Sequence, residues 1–322
     1  MPPKFGVITP QGWRLDLVNI KNPIEKYEQM TRFAQEAERL DYDSVWVYDH
    51  FHTVPTQELE TNFECWISTA GLTRDTKKIR VGQMVTCNNY RNPALLAKMA
   101  STVDVMGHGR LICGLGAGWY EHEWRAYGYG FPDIPERMGM FREACEIVHR
   151  MWTEDAPVFH GKHYTIDGPI NVPKGARKPH PELWLGGGGE KVTLKLVAQW
   201  ADGCNVGGGD PDTIRRKVEV LHRHCEALGR DPAQIAVSTS LEDVHLLDAG
   251  EDPAHAWEWA RGQYTREQYE RRFKILTPEK LSTWIEQVVE AGANYVLVYL
   301  AGLAHNTEML NRFARDIMPR FA

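Results

Sequence analysis

The sequence predicts an α/β fold of the (β/α)8 barrel class, with insertions, in which all 322 residues form one domain. Short β-rich runs alternate with longer amphipathic stretches, which is typical of a parallel sheet. Eight such strand–helix pairs can be counted, and eight units favour a closed barrel. A doubly wound open sheet is the alternative, but the first strand ends in Thr9-Pro10-Gln11-Gly12 and lacks the Gly-x-Gly-x-x-Gly fingerprint.

The first half of the chain supplies four of these pairs. Strands are predicted over residues 4–10, 44–51, 79–86 and 110–118, where β-branched and aromatic residues are concentrated. Asn22-Pro23 and Asn92-Pro93 mark the starts of helices that run to about residues 40 and 106, because proline is favoured in a first helical turn. Another helix is predicted over residues 62–74, an aromatic loop follows Gly118, and a helix over 136–152 completes the fourth pair.

The second half supplies the other four pairs and two insertions. Residues 158–167 are typical of a β-hairpin with Gly161-Lys162 at its turn. A polar helical insertion is predicted near residues 253–273. The remaining strands are predicted over residues 182–189, 202–209, 234–247 and 293–300. The helices that follow them are predicted over residues 190–200, 211–228, 278–291 and 306–318.

The composition argues against several classes of function. A net charge of −6 argues against a nucleic-acid partner. The chain opens without a basic segment followed by an apolar run and has no stretch of about 18 apolar residues, so neither a signal peptide nor a membrane span is expected. The six cysteines lack Cys-x-x-Cys spacing and indicate reduced thiols in a cytoplasmic enzyme, with a disulfide framework as the alternative.

Asp49 and His50 close the second predicted strand, and active sites of barrels lie at the C-terminal ends of strands. A histidine there can move a proton near neutral pH, although a structural histidine bonded to backbone is the alternative. Strand alternation would aim the two side chains apart, so both reach the site only if the strand ends or bulges. His50 and His52 could also bind a metal, but strands five and six end in glycine rather than in further ligands, so none is expected.

Glycine runs end the fifth and sixth predicted strands. Gly186–Gly189 stands at a strand-to-helix junction, where backbone N–H groups and the helix dipole favour an anion. A tight turn is the alternative, but three more glycines after the next strand favour a phosphate. The loop after Gly118 carries six aromatic residues in residues 119–131, which suits a planar ligand or, alternatively, packing on the barrel rim or at a subunit contact.

Three segments resemble the luciferase-like monooxygenase superfamily, and within it the branch that uses the deazaflavin coenzyme F420. They are VWVYDHF (45–51), RNPALLAKMASTVDVMGHGRLICGLGAGW (91–119) and LGGGGEKVTLKLVAQWADGCNV (185–206). The resemblance covers nearly the whole chain. It implies hydride transfer between F420 and a small organic substrate, at the C-terminal face of the barrel of a homodimer. An FMN-dependent luciferase-like monooxygenase is the alternative.

The resemblance also implies roles for individual residues. His50 is the candidate acid or base, Asp49 contacts the deazaflavin ring, and Met84-Val85 forms a bulge behind the ring that often contains a cis peptide bond. Gly186–Gly189 (Gly186, Gly187, Gly188 and Gly189) hold the cofactor phosphate. Further cofactor contacts are expected from Thr86, Asn88, Gly118, His122, Val206 and Gly207. Substrate contacts are expected from Phe51, Trp119 and Tyr120.

The chain departs from the F420-dependent glucose-6-phosphate dehydrogenases that it otherwise resembles. Trp119 stands where those enzymes have a glutamate after the strand-four glycines. Their tryptophan after Asp-His-Phe is missing from residues 49–55, and residues 207–210 carry no lysine. These departures argue against a sugar phosphate as substrate, and an apolar or aromatic compound fits the loop better.

Overall fold

The computed structural model describes residues 2–260 and 264–322, so residues 261–263 of the predicted helical insertion lie outside the described residues. The described strands, in chain order, are Lys4–Ile8 (β1), Ser44–Val47 (β2), Arg80–Gln83 (β3), Thr86–Cys87 (β4), Leu111–Gly116 (β5), Val158–His160 (β6), Thr165–Asp167 (β7), Glu182–Gly186 (β8), Gly203–Gly208 (β9), Ala236–Leu246 (β10), Lys274–Leu276 (β11) and Tyr295–Leu300 (β12).

Helices connect the strands and surround them. The described α-helices are Pro23–Arg39 (α1), Cys65–Asp75 (α2), Pro93–Met106 (α3), Glu121–Ala126 (α4), Ile134–Thr153 (α5), Thr193–Trp200 (α6), Pro211–Leu228 (α7), Trp257–Ala260 (α8), Arg266–Arg272 (α9), Pro278–Glu290 (α10) and Glu308–Asp316 (α11). Among the described residues, no helix combines the length and apolar character that crossing a bilayer requires.

A closed parallel barrel forms the centre of the molecule, and it confirms the predicted fold class. Its strands follow one another as β1, β2, β3, β5, β8, β9, β10 and β12. The ring closes because β12 pairs with β1 and β10 pairs with β9, which an open sheet would not allow. β4 continues β3 beyond a two-residue bulge and pairs with β5. β6 and β7 pair antiparallel, which confirms the predicted hairpin.

Several predicted boundaries were wrong at the mouth of the barrel. β2 ends at Val47 rather than at residue 51, and β8 ends at Gly186 rather than at 189, because the chain leaves the sheet there to form the mouth loops. α6 begins at Thr193, three residues after the predicted start. The aromatic loop contains α4, where Arg125 pairs with Glu121 one turn earlier. β11 was not predicted and pairs with β10.

Two apolar layers hold the barrel together. On β2, Val45 and Val47 point outward into the layer between the barrel and its helices, while Trp46 points inward. Inside the barrel Trp46 contacts Trp184 at a centroid separation of 5.1 Å. The large rings fit because the neighbouring Gly82 has no side chain: a Cβ there would lie 2.6 Å from the Trp46 ring. These rings therefore fill the interior of the barrel below its mouth.

We expect the buried residue His245 to make the stability of the barrel depend on pH. The residue lies on β10, is fully buried, and its Nδ1 is 2.6 Å from the Tyr269 hydroxyl of α9. Burial lowers the pKa of His245 to about 4 from an ordinary value near 6.5. Since the unfolded chain then binds the extra proton, stability should fall as the pH drops from about 6.5 towards 4, by about 2 kcal/mol between pH 7 and pH 5.

Urea unfolding of the wild type and of His245→Gln at pH 7 and pH 5 measures this contribution. The substitution should remove most of the difference between the two pH values, whatever it does to stability at pH 7. His222→Gln, which removes an exposed histidine from α7, serves as the control and should keep the difference. An equal loss of stability in all three proteins would contradict the assignment.

Candidate active site

A cavity of about 1270 Å³ opens at the C-terminal ends of the barrel strands. This is where the active site was predicted, since barrels carry their functional loops on this face. The predicted site residues that line the cavity are Asp49, His50, Met84, Val85, Gly118, Trp119, Tyr120, Gly186, Gly187 and Gly207. The predicted site residues that do not line it are Phe51, Thr86, Asn88, His122, Gly188, Gly189 and Val206.

Asp49 lies just past the end of β2 and is held by an arginine. Its carboxylate accepts two hydrogen bonds from Arg91, at 2.6 and 3.0 Å, and one from the backbone N–H of Cys87 at 2.8 Å. The Asp49 side chain is 1% exposed, and burial raises its pKa while the Arg91 charge opposes that change. Arg91 comes from the Arg-Asn-Pro segment before α3, and its bidentate contact fixes the carboxylate at the cavity wall.

His50 follows Asp49 and is oriented by a buried carboxylate. Its Nδ1–H donates to Oε2 of Glu123 at 2.9 Å, and Glu123 lies on α4 with none of its side chain exposed. The Trp13 ring stacks on the imidazole at a centroid distance of 5.2 Å and an interplanar angle of 16°. Because a carboxylate can only accept, this bond leaves Nε2 of the neutral ring as a free acceptor for a ligand in the cavity.

Glu123 stays charged because its oxygens are saturated with donors. The Tyr90 hydroxyl donates at 3.0 Å, and the backbone N–H groups of Phe51 and His52 donate at 2.9 and 3.3 Å. Burial alone would raise the pKa of Glu123, but the bond from His50 and those from the backbone of His52 and Phe51 outweigh it and hold the pKa below its ordinary value. The buried carboxylate therefore fixes the orientation of the His50 ring.

An aromatic wall surrounds His50 on the cavity side. Trp119 and Tyr120 meet the imidazole edge-on, both at 5.9 Å, and Tyr48 packs against Trp13 at 4.1 Å. Phe51 was predicted to contact substrate, but the structure turns it away from the cavity to pack between Tyr90 and Tyr127, at 4.4 and 4.3 Å. Phe51 is turned this way because its backbone N–H donates to the carboxylate of Glu123 on α4.

The bulge between β3 and β4 forms another part of the cavity wall. The peptide bond between Met84 and Val85 is cis, as the resemblance implied. The Val85 side chain lies against Gly116 and Gly186, where a Cβ would approach it to 2.6 and 2.8 Å. Gly186 thus has a packing reason to be glycine, in addition to the phosphate contact that was predicted for it.

The two glycine loops lie side by side, with a lysine behind them. Gly187 and Gly207 have positive φ angles of 120° and 96°, and the N–H of Gly187 donates to the carbonyl of Asn205 at 3.1 Å. Lys217 of α7 donates from Nζ to the carbonyl of Val206 at 2.6 Å and lies where a Cβ on Gly188 would be. Partial burial lowers the pKa of Lys217, and neighbouring Arg216 adds to this effect.

The other predicted residues outside the cavity wall are occupied elsewhere. Thr86 accepts a hydrogen bond from the Trp66 indole at 3.0 Å, and the Asn88 amide donates to Tyr164 at 3.2 Å. His122 lies on the exposed side of α4, where its Nδ1 is 3.1 Å from Nε2 of His52. The helix carries Glu123, not His122, towards His50. Gly189 was predicted to lie at the N-terminus of a helix. It lies beside the Thr193 side chain instead, because α6 begins later than predicted.

Functional side chains that sequence reasoning missed come from distant parts of the chain. Glu123 follows the glycine-rich strand end by only a few residues, and the available signal was the presence of two acidic residues, Glu121 and Glu123, in the loop. Lys217 carries no signal in its own neighbourhood, since it reaches the loops from the second turn of a helix. Trp13 and Arg14 lie in the loop after β1 and line the cavity. They could have been predicted from the rule that the loops after barrel strands form the active site.

The histidines near β2 do not assemble a metal site. His50 is bonded to Glu123, whereas His52 lies 3.1 Å from the carbonyl of Thr53 through Nδ1. Within residues 2–260 and 264–322, no three histidine, cysteine, aspartate or glutamate side chains are grouped in a way that could hold a metal ion.

Comparison with known proteins places this geometry in context. A family profile described as luciferase-like monooxygenase matches residues 4–296. An F420-dependent glucose-6-phosphate dehydrogenase of Amycolatopsis mediterranei (strain U-32) is 25% identical over 320 residues, covering 90% of this chain and 93% of its own. An FMNH(2)-dependent dimethylsulfone monooxygenase of Pseudomonas putida is 26% identical over 335 residues, covering 92% of this chain and 90% of its own.

A solved structure has the same architecture over the whole chain. An F420-dependent secondary alcohol dehydrogenase, determined in complex with an F420-acetone adduct, superposes with a TM-score of 0.77 at 21% identity. The superposition covers 100% of this chain and 98% of that one. At this identity the likeness shows the fold, whereas function depends on the residues of the site.

Proposed function

Because this chain belongs to the luciferase-like monooxygenase family, we propose that it is an oxidoreductase that transfers a hydride between coenzyme F420 and a small organic substrate. The F420 dependence of similar proteins supports the choice of cofactor. The observation that carries the proposal is His50 at the cavity wall, with one ring nitrogen held by buried Glu123 and the other left for a ligand.

The residues around the cavity fit a deazaflavin with an anionic tail. The cavity volume of about 1270 Å³ exceeds the roughly 300–1,000 Å³ of an ordinary ligand pocket, so it has room for a cofactor and a substrate. Met84 and Val85 supply an apolar surface for a planar ring. Gly187 and Gly207 line the cavity without side chains and so leave space for a phosphate, and Lys217 behind them supplies a positive charge. Their own N–H groups already donate to Asn205, so the lysine carries the attraction.

The chemistry divides between cofactor and protein. When bound, the deazaflavin supplies the hydride acceptor or donor at C5. Nε2 of His50 takes the proton of the substrate during oxidation and returns it during reduction. The Glu123 carboxylate stabilises the protonated imidazole through its charge, and Trp13 keeps the ring in its plane. Trp119 and Tyr120 present their rings edge-on to the imidazole and border the space in front of it.

Fluorescence titration of the purified protein with F420 and with FMN tests the cofactor. We expect F420 to bind with a micromolar or lower Kd, and Lys217→Met to weaken that binding about tenfold because one charge near the phosphate, worth roughly 1.4 kcal/mol, is lost. Lys195→Met, which removes an exposed lysine from the neighbouring helix α6, should leave the Kd unchanged. An equal effect of the two substitutions would show that Lys217 acts only through net charge.

An FMN-dependent monooxygenase is the second candidate. It is favoured by the similarity to an FMNH(2)-dependent enzyme, which is as close in identity as the F420-dependent relatives. Tight binding of FMN with little binding of F420 in the same titration would reverse the order of the two proposals.

We further propose that the protein is a cytoplasmic homodimer. Apolar residues are exposed in the first turns of three consecutive helices, namely Ile24 of α1, Ile67 of α2 and Leu95 of α3, with exposures of 70%, 71% and 54%. Such a surface on one side of a barrel supports contact with a second copy. Light scattering should give twice the chain mass of 36.8 kDa.

The cysteines bear on the compartment. All six are buried without disulfides, which supports a reducing compartment.

A further inference from the structure

Four charged residues form a cluster at the cavity edge after β1 and β10. This arginine–carboxylate cluster consists of Arg14, Glu242, Asp243 and Arg272, all of which line the cavity. Nη1 of Arg14 donates to Asp243 at 3.0 Å, and Nη2 of Arg14 pairs with Glu242. Nε of Arg272 donates to the other carboxylate oxygen of Asp243 at 3.1 Å. Each arginine at this edge is therefore already paired with a carboxylate of the same chain.

An unusual backbone conformation at Asp243 allows this arrangement. Asp243 has a φ angle of +59°, which is uncommon for a residue other than glycine. It lies in a bulge, since the pairing of β10 with β12 shifts register between Leu241 and Val244. A bulge at the mouth of a barrel re-aims side chains, and here it turns one carboxylate towards two arginines. After glycine, aspartate and asparagine tolerate this backbone best, so Asp243→Asn removes the charge and keeps the backbone conformation.

The cluster borders the space in front of His50. The Arg14 guanidinium lies 4.4 Å from the centre of the Trp13 ring, and that ring stacks on the imidazole of His50. The Tyr48 hydroxyl is 3.4 Å from Glu242 and belongs to the same aromatic wall. A substrate that reaches Nε2 of His50 therefore lies beside the arginine–carboxylate cluster.

Both arginines on this wall are compensated by carboxylates. Among the described residues that line the cavity, the cationic side chains are Arg14, Arg272 and Lys274, and the carboxylates are Asp49, Asp210, Glu242 and Asp243. An anionic substrate group could bind Arg14 or Arg272 only by displacing a carboxylate that already occupies it. The displaced carboxylate would remain nearby, and like charges at that distance repel.

We infer that the enzyme takes an uncharged organic substrate, and that Glu242 and Asp243 exclude carboxylated and phosphorylated compounds by occupying Arg14 and Arg272. The inference deepens the proposed function, because it concerns the substrate that meets the cofactor beside His50. It assigns the two carboxylates a role in specificity, in which a pair of internal negative charges rejects substrates of the same sign.

Benzyl alcohol and benzoate provide a matched pair of probes, since they share a ring and differ in charge. Calorimetric titration is made on protein saturated with F420, so that the anionic tail fills the glycine loops and benzoate cannot bind there. The wild type, Glu242→Gln, and the double variant Glu242→Gln/Asp243→Asn are compared. Glu36→Gln, which breaks an exposed pair with Arg39 on α1, is the matched control.

We expect benzoate to bind the wild type at least tenfold more weakly than benzyl alcohol. The double variant should bind benzoate at least tenfold more tightly than the wild type does, because Arg14 and Arg272 are released. Glu242→Gln should move in the same direction and is decisive if the double variant does not fold, as judged by its melting temperature. Preference of the wild type for benzoate, or unchanged benzoate binding in the folded variants, would overturn the inference.

A failure of the cofactor proposal can be distinguished from a failure of the substrate inference. If F420 does not bind, the titration is repeated on protein carrying Lys217→Met, in which the glycine loops have lost their cation. The change in benzoate affinity caused by Glu242→Gln then tests the charge compensation alone. Binding of F420 without any effect of the carboxylate variants would refute the substrate class and leave the cofactor proposal standing.

Discussion

Replacement of His50 by alanine is expected to lower turnover by about 10²–10⁴-fold, which is the usual contribution of a positioned acid or base. The Kd of F420 should change by less than about threefold, because the ring of His50 acts on the substrate proton rather than on the phosphate or the deazaflavin surface. Turnover is followed by the absorbance of F420 with an uncharged alcohol or ketone, and the Kd by fluorescence. Full turnover in the variant would remove His50 from the mechanism.

Glu123→Gln separates the position of His50 from its chemistry. The amide can still accept from Nδ1–H but carries no charge, so turnover should fall by roughly tenfold to a hundredfold while the fold is kept. Nitrogen NMR of ¹⁵N-histidine protein should show His50 of the wild type protonated at Nδ1 when neutral, as the 2.9 Å bond to Glu123 requires. An Nε2-protonated neutral ring in the wild type would contradict the assignment of Nε2 as the base.

Arg91→Met is expected to destabilise the protein by about 3–5 kcal/mol, because it leaves the buried carboxylate of Asp49 without its partner. The Asp49 side chain is 1% exposed, and its remaining donor is the N–H of Cys87. Arg91 also pairs with Glu64, so the loss affects the start of α2 as well. Chemical unfolding at pH 7 measures the free energy of unfolding of the variant against that of the wild type.

The double variant Arg91→Met/Asp49→Asn identifies the cause. If an uncompensated charge is responsible, neutralising Asp49 should recover at least 2 kcal/mol of the loss. If the loss comes only from packing of the long arginine side chain, the second substitution would recover nothing. F420 titration of the refolded double variant then reports whether the Asp49 charge also contributes to cofactor binding.

The architecture could be predicted because its signals are local and repeated. Asn22 and Asn92 each precede a proline and cap α1 and α3, and α7 lies over the same residues that the sequence predicted. Eight alternations of strand and helix allow few folds besides a closed barrel. The strand ends were less predictable, since a strand that leaves the sheet to build a mouth loop keeps the same apolar composition for several residues.

The candidate site was predictable only in part. Asp49 and His50 lie at a strand end, so the barrel rule placed them at the mouth, and the glycine runs were placed by the same rule. Neither rule could find Glu123, Arg91 or Lys217, whose side chains reach the site from helices or from the turn before one. Phe51 and His122, which neighbour His50 and Glu123 in the sequence, were predicted to be site residues. The orientation of α4 turns both side chains away from the cavity.

The amino-acid sequence by itself determined the barrel and placed Asp49, His50 and the glycine runs near its mouth, because the spacing of apolar residues and of turn residues is a property of short segments. Tertiary structure alone decided which nitrogen of His50 is free, that Asp49 is neutralised by Arg91, and that Glu242 and Asp243 occupy the arginines of the cavity wall. Those outcomes depend on distances of about 3 Å between residues from 40 to more than 200 positions apart in the chain, and only folding brings such residues together.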